Sequence, residues 1–258
     1  MKYSKIDQLQ IYAADSREEM GRISGQDVAS LIKIFLQEKD ELNVMFAAAP
    51  SQNEVLAELL SDTEIDWSRI NAFHMDEYIG LPQNSPQKFG NFLREHIFEK
   101  VPFGQIFYID SNSDPEEECQ RYERILRSHP IDICILGVGE NGHLAFNDPD
   151  VADFSDNRLV KQVELDEKCR QQQVNDGCFS SISQVPKTAL TVTIPGLTRA
   201  KAMFCVVPTK NKAEAIKNML IGEVEELCPA SILRKKAGAK LYLDPDAAKN
   251  VLENTNWM

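Results

Sequence analysis

The stretch IDICILGVGENGHLAFNDPD, residues 131–150, begins as a strand and ends as chemistry. Its first half, IDICILGVG, is a near-continuous apolar run closed by glycines. That pattern fits a strand buried on both faces rather than one with a wet side. Such a strand needs helices above and below it, and the flanking sequence supplies them in alternation. An amphipathic helix is expected over 16–37. The apolar run NVMFAAA (43–49) follows, then PSQNEVLAELL with helical periodicity, then the short strand INAFHM (70–75). Further on, SPQKFGNFLREHIFEKV reads as a helix, QIFYI as a strand, and DPEEECQRYERILRSH as a helix with its acids in the first turn, where the helix dipole favours them. Beyond the quoted stretch come the strands ALTVTI (189–194), KAMFCVV (201–207) and AKLYLD (239–244), with the helix NKAEAIKNML between the last two. The expected fold class is α/β, a mainly parallel sheet flanked by helices on both faces.

No repeat, linker or low-complexity tract divides the 258 residues, so a single domain spanning 1–258 is expected. The polar segment 150–185 is the exception to the alternation. It is expected to be an active-site lid, with an ordinary helix and loop as the equal alternative. A formal charge of −12 argues against a nucleic-acid partner, because phosphate neutralisation needs clustered Lys and Arg. No window is apolar enough to span a bilayer and the first residues carry no apolar signal core, so neither a membrane nor secretion is expected. The six cysteines lack metal-ligand spacing and read as reduced; a cytoplasmic protein is expected.

In parallel sheets of this kind ligands gather beyond the carboxyl ends of the strands. Three polar clusters fall there: Ser51-Gln52, Asp76-Glu77-Tyr78, and the second half of the quoted stretch. GVGENGH fails as a dinucleotide fingerprint and lacks the Lys-Ser/Thr of a P-loop, so its glycines mean a tight turn. His143 with Asp148 could hold a metal, but no second His or Cys lies at ligand spacing, and no metal is expected. A histidine oriented by a carboxylate suits proton transfer near neutrality. A plain hydrogen-bonded histidine is the competing reading. Asp76 and Glu77 offer a general base or, alternatively, a turn or cap. Ser51 and Lys212 offer phosphate contacts or, alternatively, a helix cap and a solvated lysine.

Taken together, FHMDEYIGLP (73–82), GVGENGHLAFNDP (137–149), QVPKTALTV (184–192) and KNKAEAI (210–216) resemble the glucosamine-6-phosphate deaminase (isomerase) family, within the wider glucosamine/galactosamine-6-phosphate isomerase and 6-phosphogluconolactonase superfamily. The resemblance covers nearly the whole chain. It implies a modified Rossmann-type fold and a cofactor-free, metal-free enzyme. The implied reaction takes glucosamine 6-phosphate, or a close amino-sugar phosphate, and water to fructose 6-phosphate and ammonia, by ring opening and an enediol-type intermediate. Carried over by position, Asp76 would move the proton between C2 and C1, His143 would open the ring, and Asp148 would hold the imidazole. Ser51, Gln52, Glu77, Gly142, Arg170 and Lys212 would surround the substrate and its phosphate. A homo-oligomer is compatible with the resemblance, whose members range from monomers to hexamers.

Four positions depart from the pattern. Asn141 stands where an acid is expected beside the histidine. Asp148 is a methylene shorter than the expected glutamate, which implies a backbone shift or a water between it and the ring. The loop AAAPSQ replaces a Gly/Thr-rich phosphate turn. Gln173 falls where a lid arginine is expected, with Arg170 one turn earlier as the substitute. These leave two alternatives beside the deaminase: a 6-phosphogluconolactonase-like hydrolase or non-deaminating isomerase, and a non-catalytic sugar-phosphate sensor.

Overall fold

The computed structural model describes residues 1–252. In chain order the elements are β1 (Lys2–Ile6), β2 (Leu9–Ala13), α1 (Arg17–Glu38), β3 (Leu42–Phe46), α2 (Asn53–Ser61), β4 (Ile70–His74), β5 (Asp76–Tyr78), α3 (Phe89–Leu93), β6 (Gln105–Phe107), α4 (Pro115–Ser128), β7 (Ile133–Leu136), β8 (Val160–Glu164), α5 (Glu167–Asn175), β9 (Thr188–Val192), α6 (Ile194–Thr198), β10 (Ala202–Val207), α7 (Ala213–Ile221) and β11 (Ala239–Leu243). Eight strands form one sheet in the order β1-β2-β11-β10-β7-β3-β4-β6, and all its pairings except β1 with β2 are parallel.

The run that opened the reading lies at the centre of that sheet, as β7 between β10 and β3. All four of its residues are buried. Ile133 and Ile135 point into a core shared with α1, α2 and α3, while Cys134 and Leu136 point into the opposite core with α4, α6 and α7. The alternation of the pleat thus feeds two cores at once, which is why the strand shows no polar face. Full burial of a side chain such as Leu136 contributes roughly 1.5–3 kcal/mol. The helices begin where their side chains cap them. Ser16 Oγ accepts from Glu19 N at 3.1 Å, and Asp114 Oδ1 accepts from Glu116 N and Glu117 N at 3.0 Å each.

The structure departs from the sequence reading in three places. The first residues form a hairpin, β1 with β2, that turns at Asp7 with φ 53°. The 85–101 helix is shorter than its pattern, five residues of α3 running into a wider helical turn over Arg94–Phe98. ALTVTI is not one strand of the main sheet. Its first part is β9, which with β5 and β8 makes a separate three-stranded antiparallel sheet, and Thr193 then caps α6 with a hydrogen bond from Gly196 N. The segment 150–185 carries β8 and α5. No described helix is long and apolar enough to cross a membrane.

Candidate active site

A cavity of about 230 Å³ opens at the carboxyl ends of β3, β4, β7 and β10. Each end delivers its side chains for a local reason. After β3 the chain turns tightly through Pro50–Gln52, bringing Ser51 and Gln52 to the wall. Gln52 is buried, its amide donating to Ser51 Oγ (3.1 Å) and Val206 O (3.2 Å). Gly137, at the end of β7, makes this possible: a Cβ there would lie 3.1 Å from Gln52 Nε2. The sequence signal for that glycine was present, but its partner across the sheet was not.

At the end of β4 the chain leaves the main sheet and enters β5, and Asp76 sits at that junction. His74 fixes the junction. Ile109 N–H donates to its Nε2 at 2.9 Å, so the ring proton is on Nδ1, which donates to Asp76 O, also at 2.9 Å. Burial depresses His74 to about 4, so this strut is neutral. The Asp76 carboxylate lines the cavity and bonds to no donor among the described residues. Burial foremost, and then the neighbouring Glu77, raises its pKa well above the usual aspartate value. Glu77 itself points elsewhere. Its carboxylate accepts from the backbone N–H groups of Tyr78 (2.9 Å), Phe89 (3.1 Å) and Gly90 (3.0 Å), tying β5 to the start of α3. It does not line the cavity, which corrects its expected place at the substrate.

After β7, GVGENGH turns back on itself. Gly139 N–H donates to His143 O, and the imidazole packs so closely over Gly139 that a Cβ there would fall 2.2 Å from the ring. His143 lines the cavity with its Nδ1 3.0 Å from Asp148 Oδ1. The ring N–H is not aimed along that line, so the two groups touch without an aligned hydrogen bond. Asp148 therefore reaches the imidazole directly despite its shorter side chain, at a separation that leaves no room for a bridging water. Burial pushes the Asp148 carboxyl up, but His143, Asn141 and the Asp166 N–H outweigh it and the net direction is down. Asn141 accounts for its own departure. Its Nδ2 donates to Asp148 Oδ1 (2.9 Å) and to Asp166 Oδ2 (3.0 Å), while its Oδ1 accepts from His143 N (3.2 Å). Asp166 caps α5 through Lys168 N, so one amide joins the histidine turn to the start of that helix. Cys169 of α5 completes a trio with His143 and Asp148 whose donor atoms lie within 4.8 Å of one another. Burial first, and then the Asp148 carboxylate, push the thiol pKa well above its ordinary value. Spacing alone hid this neighbour.

Lys212, past β10, is 4% exposed, and its Nζ has no hydrogen-bond partner among the described residues. Burial lowers its pKa against the pull of Asp176 and Glu140. A buried ammonium with no hydrogen-bond partner is costly. α5 closes the cavity with Gln172, Gln173 and Asp176, but not with Arg170. The Arg170 guanidinium donates to Ile182 O (2.6 Å) and Val185 O (3.0 Å), which corrects its expected role as substitute for the lid arginine. Gly142 is corrected too. With φ 88°, it closes the turn against Cys228, whose Sγ would lie 3.0 Å from a Cβ there, and it stands outside the cavity. Arg17, at the start of α1, lines the wall and was not anticipated.

The profile of the glucosamine-6-phosphate isomerases/6-phosphogluconolactonase family matches residues 15–242. The chain belongs to that family. Glucosamine-6-phosphate deaminases of Bacillus cereus (strain B4264) and Bacillus thuringiensis (strain Al Hakam) are each 35% identical to it over 218 residues, 84% of this chain and 81% of theirs. Among solved structures, a monomeric glucosamine-6-phosphate deaminase superposes with a TM-score of 0.85 at 29% identity, over 93% of this chain and 99% of its own. A 6-phosphogluconolactonase from Thermotoga maritima shares the fold (TM-score 0.75, 22% identity, 92% and 99% covered). The fold class is thus that of the glucosamine-6-phosphate isomerase family, and the chain is an enzyme.

Within this family site, Asn141→Asp is expected to destabilise. It would set a third carboxylate against Asp148 and Asp166 and remove the donor they share. The loss of one hydrogen-bonded donor to a buried charge is about 2 kcal/mol. Thermal unfolding should show a lowered midpoint, with the deficit wider at pH 8 than at pH 5 because the repulsion needs ionised carboxylates. An unchanged midpoint across that range would count against the bridging role of the amide.

Proposed function

We propose that the protein converts glucosamine 6-phosphate, or a close amino-sugar phosphate, and water to fructose 6-phosphate and ammonia. The observation that carries the reading is the meeting, in one cavity, of an unpartnered buried carboxylate (Asp76), a carboxylate-paired imidazole (His143) and an orphaned buried ammonium (Lys212). Aldose–ketose chemistry on an anionic sugar asks for these three groups. The deaminase relatives support the same choice.

Lys212, with Ser51 and Gln52, holds the phosphate and so fixes the other end of the sugar. His143 takes the proton of the C1 hydroxyl and passes it to the ring oxygen, and the ring opens to the aldehyde. The Asp148 carboxylate stabilises the imidazolium form on that cycle. Asp76 takes the proton from C2, the electron pair moves toward the C1 carbonyl, whose oxygen takes a proton from the C2 ammonium, and the enediol-type intermediate (here carrying nitrogen at C2) forms. The same carboxyl returns the proton to C1, leaving an imine at C2. Water adds there and ammonia leaves, giving the ketone. A pKa raised by burial suits a carboxyl that must both accept and return a proton.

The test is to incubate the protein with glucosamine 6-phosphate and follow ammonia and fructose 6-phosphate, with the galactosamine epimer and 6-phosphogluconolactone in parallel. Stoichiometric ammonia and ketose from an amino sugar are expected. No ammonia from either epimer would sink the reading, and lactone hydrolysis without ammonia would replace it.

A further inference from the structure

We propose that Arg17 is the second cation of the phosphate site, so that the phosphate is gripped by the frame of the fold and not by α5. The inference rests on the sugar-phosphate reading above and assigns the part of the site that the sequence left open. The lid arginine is absent, Gln173 standing in its place. Arg170 is spent on the Ile182 and Val185 carbonyls. Lys212 alone carries one positive charge, whereas a phosphate monoester near neutrality carries close to two negative ones.

Arg17 is positioned to supply the other. It lies on the cavity wall together with Ser51, Gln52 and Lys212. Its guanidinium is locked from behind: Nε donates to Glu54 Oε1 at 2.7 Å, and Nη2 donates to Glu54 Oε2 (3.1 Å) and to Pro50 O (3.0 Å). Those three bonds use three of the five N–H groups and hold the plane of the fork. The two on Nη1 bond to nothing among the described residues and are left for a ligand. The lock is itself rigid. Gly21, one turn along α1, brings the helix so near α2 that a Cβ would sit 2.2 Å from Glu54 Cβ. Pro50 and Glu54 flank the turn that carries Ser51 and Gln52, so the cation and the polar contacts move as one piece.

A further charge on this wall is Asp176, an exposed residue at the C-terminal end of α5, held by Gln172 Nε2 at 3.3 Å. It opposes a phosphate and so makes a second cation more necessary. A lone Lys212 would face the dianion with a carboxylate beside it.

The experiment uses the full chain and glucitol 6-phosphate, which has no carbonyl to react, in isothermal titration against the wild type, Arg17→Met and Arg17→Met/Glu54→Gln. The double variant removes the unpaired carboxylate that the single one leaves. Both variants are expected to weaken glucitol 6-phosphate by about 10- to 100-fold, the worth of a charge-assisted contact. Arg17→Lys should recover only part of that, since an ammonium cannot hold the Glu54 fork. Affinity in both variants within twofold of wild type overturns the proposal. The two readings separate cleanly. If the wild type binds glucitol 6-phosphate, loses it on Arg17→Met and yet releases no ammonia from amino-sugar phosphates, the reaction is wrong and Arg17 stands. If it releases ammonia and Arg17→Met leaves affinity unchanged, Arg17 falls and the reaction stands.

Discussion

Asp76→Asn is expected to lower turnover of the amino-sugar phosphate by between about 10²- and 10⁴-fold, the usual worth of a positioned acid–base group, while leaving sugar-phosphate binding in place. The amide keeps the shape of the carboxyl but cannot shuttle a proton. The same variant carries a second signature. Burial and Glu77 raise the Asp76 pKa in the folded protein above its unfolded value of 3.8. Between those two values the folded state binds the extra proton, so stability falls as pH rises. Asp76 therefore withdraws stability as pH climbs toward and through its folded value, and Asn does not. The thermal midpoint of the variant should gain on wild type from pH 4 to pH 8. In the wild type, kcat/KM should drop on acidification through a limb lying above the ordinary carboxylate range. Residual turnover within tenfold of wild type would remove Asp76 from the chemistry.

Lys212→Met is expected to raise KM, and the Kd of glucitol 6-phosphate, by about 10²-fold, which corresponds to about 3 kcal/mol. Unlike most core substitutions it should also stabilise the unliganded protein, because it removes a buried ammonium whose Nζ has no hydrogen-bond partner among the described residues. Burial holds the Lys212 pKa below its ordinary value of 10.5. For a base depressed in this way, the folded state resists protonation. Its stability is fully present above the unfolded value and is lost as pH falls through the folded one. The midpoint gained by Met should therefore be larger at pH 6 than at pH 10. A variant that is both less stable and unaltered in affinity would show that Lys212 is structural.

How far the sequence reaches depends on whether a residue's role is set by its own neighbours in the chain or by distant ones. ICIL announces a two-faced central strand because both faces are apolar, and Ser16 and Asp114 announce helix starts because capping is local. The hairpin at residues 2–13 has too short and weak an alternation to read. β9 has the composition of a main-sheet strand, yet it is assigned to the small sheet by pairing with Asp76–Tyr78, more than a hundred residues away. The site divides in the same way. Asp76, His143, Ser51, Gln52 and Lys212 follow strand ends, and the fold gathers strand ends, so all five reach one cavity. Glu77 and Arg170 carry the right charge for a substrate but are claimed by backbone groups that no spacing reveals. Arg17 reads as an ordinary first-turn helix residue until Glu54, 37 residues on, turns its guanidinium.

His74 has a meaning beyond packing. Where β4 leaves one sheet and β5 joins another, the ladder of peptide bonds is interrupted, and the imidazole takes the place of the missing rung: it accepts from Ile109 on one side and donates to Asp76 on the other. A neutral ring does this because it has one donor and one acceptor that point apart. Once protonated, below about 4, it has two donors, and Ile109 N–H would face another N–H. The side chain that splices the two sheets thus sets the acidity at which the aspartate beside it can still be held in place.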